Sequence, residues 1–182
     1  MTGGQLLAKA ARHLPAARCV AEAGTVTMDV PPGDWLAALA FARDVAGCDF
    51  FDWLTAVDEQ DSGLAVVAHL YSIEDRQHLL VRTLVRPDDP VLPTATPLFR
   101  GAAWAERETH EMFGVVFDGH PGLAPLLLPE GFEGHPLRKD FPLAARAAED
   151  WPGAREPGER ATSARSRRRL VPPGVPEGWP PP

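Results

Sequence analysis

Proline decides what much of the second half of this chain cannot become. The stretch "FDGHPGLAPLLLPEGFEGHPLRKDFPL", residues 117–143, places a proline every four to seven residues. Each proline removes an N–H donor and locks φ, so neither a long helix nor an inner strand can run through it. A further eight of the 20 prolines fall in the last 37 residues, beside the basic run "RSRRR". That tail is expected to be extended or disordered. Three segments follow: a sheet domain over 1–114, an extended docking arm with two Gly-His-Pro corners over 115–145, and a Pro/Arg-rich tail over 146–182, partly disordered or docked on a partner. Trp151 and Trp179 are costly residues for a free tail and are the expected anchors.

Regular structure must lie before Gly114. Residues 2–13 predict a short helix. Val26, Met28 and Val30 alternate as a half-buried strand does. "PPGDW" reads as a helix start with Asp34 as cap, Trp35, Ala38, Leu39, Ala42 and Val45 follow at helical spacing, and Gly47 is the stop. Phe51, Trp53, Thr55 and Val57 alternate on one face of a second strand. Residues 64–73 are apolar on both faces, as in an inner strand. The return strand 78–86 puts Leu79, Val81, Thr83 and Val85 on one side and Arg82 and Arg86 on the other. His69, between Val67 and Tyr71, reads as a satisfied core histidine. Ala102–Phe113 is a charged helix ended by Gly114. The expected fold is α+β: a two-layer domain with a mixed, largely antiparallel sheet of about four strands, helices on one side, and an extended Pro-rich C-terminal arm.

Bulk properties exclude several functions. With 182 residues the chain can bury one core. Its net charge of −7 gives no bulk attraction to nucleic acid or anionic lipid. The charge is uneven: residues 1–145 sum to −9 and residues 146–182 to +2. Two cysteines without a C-x-x-C spacing, Cys19 and Cys48, cannot hold an iron–sulfur cluster or a Cys-type zinc site by themselves. No signal peptide is expected, and no apolar run approaches the ~20 residues of a membrane span. Phosphate-loop, dinucleotide-binding and nucleophile-elbow motifs do not occur.

Chemistry-bearing residues gather between 106 and 140. "ERETHEMFG" begins like a zinc-binding H-E-x-x-H, but the second histidine position is Gly114. Arg107 and Glu111 are four apart and can pair along one helix face. Glu108 shares a stripe with Trp104 and Met112. The helix can be a solvated charged element, a face that meets a partner's charges, or the carrier of a general acid. His120 and His135 each sit between Gly and Pro, which makes a corner: the glycine permits the bend and the proline extends the residue before it. Such a corner is structural, or it presents an imidazole to another protein. A metal-dependent hydrolase using His110, His120 and His135 is the rival reading. "HPLRKD" adds Arg138, Lys139 and Asp140 as an exposed turn or a charged contact.

The string "WAERETHEMFGVVFDGHPGLAPLLLPEGFEGHPLRKDFPL" (104–143) closely resembles the signature of the thirty-kilodalton subunit, or C subunit, of respiratory complex I, the NADH:quinone oxidoreductase. The family pattern runs E-R-E-x-x-D-M-F-G, then G-H-P, a leucine-rich stretch, and E-G-H-P-L-R-K-D-[FY]-P. "WLTAVD" (53–58) and the strand pair after it are similar too, so the resemblance covers about residues 30–145. Glu111 departs from the family's Asp by one methylene. The resemblance implies a non-catalytic subunit of the peripheral arm of a proton-translocating enzyme, on the cytoplasmic side of the cell membrane. It implies no cofactor on this chain, with FMN and iron–sulfur clusters on partner subunits. The implied partners are the D subunit, of the forty-nine-kilodalton type, and the cluster-bearing B subunit, near the quinone end. The residues expected at the subunit interface are Arg107, Glu108, Glu111, His120, His135, Arg138, Lys139, Asp140, Trp151 and Trp179. Related subunits serve membrane-bound hydrogenases and dehydrogenases with other electron donors, which is the alternative assignment.

Overall fold

A computed structural model describes residues 3–129 and 131–141. Trp151, Trp179, the end of the arm at 145 and the whole tail 146–182 lie outside the described residues. The order of elements is α1 (Gly3–His13), β1 (Arg18–Glu22), β2 (Thr25–Val30), α2 (Trp35–Asp44), β3 (Phe50–Asp58), β4 (Leu64–Ser72), β5 (Gln77–Val85), β6 (Val91–Pro93), α3 (Ala102–Phe113) and β7 (Val116–Asp118).

Five strands form one sheet in the order β1-β2-β5-β4-β3. Only the β2–β5 pair is parallel; the rest are antiparallel. β1 is the strand that sequence periodicity does not reveal. It is an edge strand exposed at nearly every position, so no buried alternation marks it. The short parallel pair β6–β7 is also unmarked, because each member has three residues and sits among prolines.

One face of the sheet is covered. Val26, Met28 and Val30 of β2 align through the registers with Leu79 and Val81 of β5, Ala68 and Leu70 of β4, and Leu54 of β3. These residues form one core with Leu6 and Ala10 of α1, Trp35 and Leu39 of α2, Phe113 of α3, and Phe117 of β7. Burying this apolar surface is what holds the two layers together. Asp34 does precede α2, but a 3-10 turn over Pro32–Asp34 starts the helix and the Asp34 side chain makes no capping bond. Gly47, at φ +71°, follows the helix end in the left-handed conformation expected of a stop.

The opposite face is open. Here β3 departs from simple alternation, because a β-bulge between Phe51 and Trp53 breaks the register. Phe51 turns to the covered side, 5.5 Å from the Phe99 ring, whereas Trp53 is 40% exposed. The inward residues of β3 are Leu54 and Ala56, not Thr55 and Val57. A bulge inserts one residue and moves the rest of the strand to the other face, which a two-residue period cannot register. His69 is likewise not in the core. It stands on the open face, its Nδ1 2.8 Å from Asp52 Oδ2 and its Nε2 3.0 Å from His78 Nδ1, stacked on Trp53.

Candidate functional site

Helix α3 and the arm after it form the site. Ala102, Glu106, Thr109 and Phe113 are spaced for one helix face, and all four are buried. The helix ends at Gly114, whose φ of +77° is the left-handed C-terminal conformation. A Cβ there would lie 2.6 Å from His135 Nε2 and 2.9 Å from Arg138 Nη2, so glycine is also needed for the arm to close over it.

An α-helix leaves its last four carbonyls without intrahelical partners. In α3 all four are satisfied, and three of them by the arm. Gly114 N–H donates to His110 O at 2.8 Å. His135 Nδ1–H donates to Glu111 O at 2.9 Å. Leu137 N–H reaches Met112 O at 3.2 Å, and Arg138 Nε donates to Phe113 O at 2.5 Å. The Arg138 cation also lies where the helix dipole favours positive charge. The second Gly-His-Pro corner is therefore a helix cap supplied by a distant segment.

The first corner fastens the other end. His120 Nε2–H donates to Ala103 O at 3.1 Å, and Gly122 N–H donates to His120 Nδ1 at 2.9 Å. Between the corners, the Glu111 carboxylate accepts three successive backbone N–H groups, from Leu126 (3.1 Å), Leu127 (2.8 Å) and Leu128 (2.9 Å). Arg107 does not pair with Glu111. It donates to the carbonyls of Ala124 (2.9 Å) and Pro125 (2.7 Å). Beyond the second corner, Lys139 N–H donates to Asp58 Oδ2 at 2.7 Å. That N–H and the one from Gln60 hold the Asp58 carboxyl below the usual carboxylate range.

Of the expected interface residues, Arg107, Glu111, His120, His135 and Arg138 are thus brought together to bind the chain's own arm to α3. Glu108, Lys139 and Asp140 have exposed side chains. The three histidines of the hydrolase reading do not converge. The ring of His110 is bonded to Val115 O, that of His120 to Ala103 O, and that of His135 to Glu111 O. Among the described residues no group of three or more His, Cys, Asp or Glu is placed to hold a metal ion. Burial pushes the Cys48 thiol up to about 11.

One residue that sequence reasoning passed over is Glu106, which is fully buried. Its position in the stripe 102, 106, 109, 113 was the available signal. Its carboxyl meets Thr94 Oγ1 at 2.5 Å and Ala95 N at 2.6 Å, and His120 Nε2 is 3.9 Å away. Burial pushes its pKa up, opposed by those two hydrogen bonds and by His120. Thr94 Oγ1–H donates to Glu106 Oε2 and Ala95 N–H to Oε1, while Thr94 Oγ1 accepts from Thr96 N–H at 3.2 Å. Because the folded value lies above the unfolded one, this group's contribution is fully present below the unfolded value and is lost as pH rises through the folded value. The loss is about 1.4 kcal/mol for each pH unit separating the two. The unfolding free energy of the wild type relative to Glu106→Gln should therefore fall from acid pH upward. A pH profile unchanged by Glu106→Gln would contradict a raised folded-state value.

Residues 28–147 match the family described as respiratory-chain NADH dehydrogenase, 30 Kd subunit. The chain belongs to this family. The matched segment begins within β2 and contains the later strands, α3 and both corners. The NADH-quinone oxidoreductase C subunits of Brucella ovis and Brucella canis are 42% identical over 125 residues, 66% of this chain and 61% of theirs. The chain thus spans about 61% of the length of those curated relatives. Among solved structures, the trypsin-resistant fragment (1–134) of Nqo5 is 27% identical with a TM-score of 0.59, covering 67% of this chain and 99% of the fragment. A chain of the membrane-bound sulfane sulfur reductase, an archaeal respiratory membrane complex, is 25% identical with a TM-score of 0.68, covering 80% of this chain and 88% of that one. Among the described residues no helix is long and apolar enough to cross a membrane.

Proposed function

We propose that the chain is the non-catalytic peripheral-arm subunit of a proton-translocating NADH:quinone oxidoreductase. It holds the D subunit and the cluster-bearing B subunit in register, on the cytoplasmic side of the membrane. FMN and iron–sulfur clusters belong to partner subunits, and electrons do not pass through this chain. The observation that carries the reading is the signature segment itself. Its charged residues close the arm onto α3 and so build a rigid edge, the kind of preformed surface that binds with little loop ordering left to do. Arg107, Glu111, His120, His135 and Arg138 act by shaping that edge, whereas Glu108, Lys139 and Asp140 meet the neighbour directly. The 42% identity to Brucella NADH-quinone oxidoreductase subunits, against 25% to the sulfane sulfur reductase chain, favours NADH as the donor over the alternative.

A tagged full-length copy expressed in its own host should co-purify with the D subunit and with NADH:quinone reductase activity. Recovery of the chain alone from gently solubilised membranes would refute the proposal. The Nqo5 fragment is described as trypsin-resistant, which supports a sheet domain that folds without the tail. Removing residues 146–182, with Trp151 and Trp179, is expected to leave melting unchanged and to weaken co-purification.

A further inference from the structure

Among the described residues, none covers the outer side of α3 around Trp104 and Glu108. Trp104 is 67% exposed there, although it is the largest apolar side chain type and a poor one to leave in water. Glu108 stands one turn on, at the i+4 position, where side chains neighbour one another. It is exposed and makes no hydrogen bond or ion pair among the described residues. Arg107, adjacent in sequence, does not neutralise it, since its donors go to Ala124 and Pro125. The Arg107 guanidinium instead lies 5.7 Å from the centre of the Trp104 ring, a cation–π contact that holds the indole in place. At the next turn Glu111 bonds Leu127 N–H, and the Leu127 side chain is 60% exposed. The result is a ridge on which an exposed aromatic and an acid without a partner among the described residues stand one helical turn apart.

We infer that this ridge docks on a protein surface that offers an apolar pocket to Trp104 and an Arg or Lys side chain to Glu108. The inference rests on the subunit reading above and specifies the chemistry its neighbour must present. Charge complementarity carries it. Glu108 points outward unpaired from a region, residues 1–145, whose net charge is −9, so a basic surface is attracted and an acidic one repelled. A second copy of this chain does not fit. A two-fold contact through the ridge would bring together two surfaces of the same negative sign. A centrally placed tryptophan already fixed by its neighbour has the features of an interface hot spot, with little ordering left to do on binding.

The test uses the full chain and the D subunit of the same organism, with affinities measured from low to high salt. Trp104→Ala should weaken binding about 30-fold at every salt concentration. Trp104→Phe should retain most of the affinity. Glu108→Gln should weaken it about threefold to fivefold at low salt, with the difference gone at high salt, and Glu108→Arg should weaken it further. All four variants should melt like the wild type, because both side chains are exposed. Wild-type capture with no effect of Trp104→Ala or Glu108→Gln overturns the ridge and leaves the subunit reading intact. A Glu108→Gln effect that is independent of salt overturns the cationic contact. Failure of the wild type to bind overturns both.

Discussion

Glu111→Ala should release the arm from α3 without unfolding the sheet. One carboxylate accepts the N–H groups of Leu126, Leu127 and Leu128, so its removal strands three donors at once. Hydrogen bonds to a charged group contribute about 1.5–3 kcal/mol each, but water can reach this half-exposed segment and recover part of that. The expected local loss is on the order of 3 kcal/mol. Native-state hydrogen exchange is the measurement. Amides 126–128 should lose their protection, while those of β4 and β5 keep theirs. Glu111→Asp should lose far less, because the charge remains and only one methylene of reach is removed, in the direction of the family's own pattern. Unchanged exchange at 126–128 in Glu111→Ala would show that the corners and Arg107 hold this part of the arm without Glu111.

Gly63→Ala should destabilise the whole domain. Gly63 precedes β4 at φ +118° and ψ −162°, a conformation open in practice to glycine alone. A Cβ there would sit 2.4 Å from the Val85 carbonyl oxygen. That atom belongs to backbone at the end of β5, where Leu64 pairs with Val85, so it cannot rotate away. Strain and overlap act on the two central strands together, and the expected loss is about 3–5 kcal/mol. Urea unfolding should show a large fall in midpoint at similar slope. Gly4→Ala in α1 is the control: nothing lies within 4 Å of its Cβ position, and alanine is the better helix former. Equal midpoints for Gly63→Ala and the wild type would mean that the β4–β5 junction can shift to admit a methyl group.

Both outcomes bear on the same design. The sheet is a support, and the edge built by α3 and the arm is assembled from residues far apart in sequence. Asp58 at the end of β3 receives Lys139, and Thr94 and Ala95 before α3 receive Glu106. Under the role proposed above, such an edge would be rigid before a neighbour arrives.

The amino-acid sequence by itself determined the elements whose signals are local. Helix α3 ends at Gly114 because only glycine takes the left-handed cap readily, and β5 alternates because one face is buried and the other is not. Proline spacing alone excluded long helices and inner strands from the arm. The signature strings were specific enough to point to the family, since many residues must recur at set spacings. Tertiary structure decided everything that depends on non-local partners. Arg107 and Glu111 stand at pairing distance on a helix, yet the arm offers each a set of backbone groups with better geometry. The bulge in β3 sends Trp53 outward, and nothing in a strand's period announces an inserted residue. Glu106 is buried because Thr94 and Ala95 come back to meet its carboxyl, a fact held in the fold of the loop and invisible in the residue type. Periodicity records which face of an element is apolar; it does not record which distant segment will satisfy the polar groups on that face.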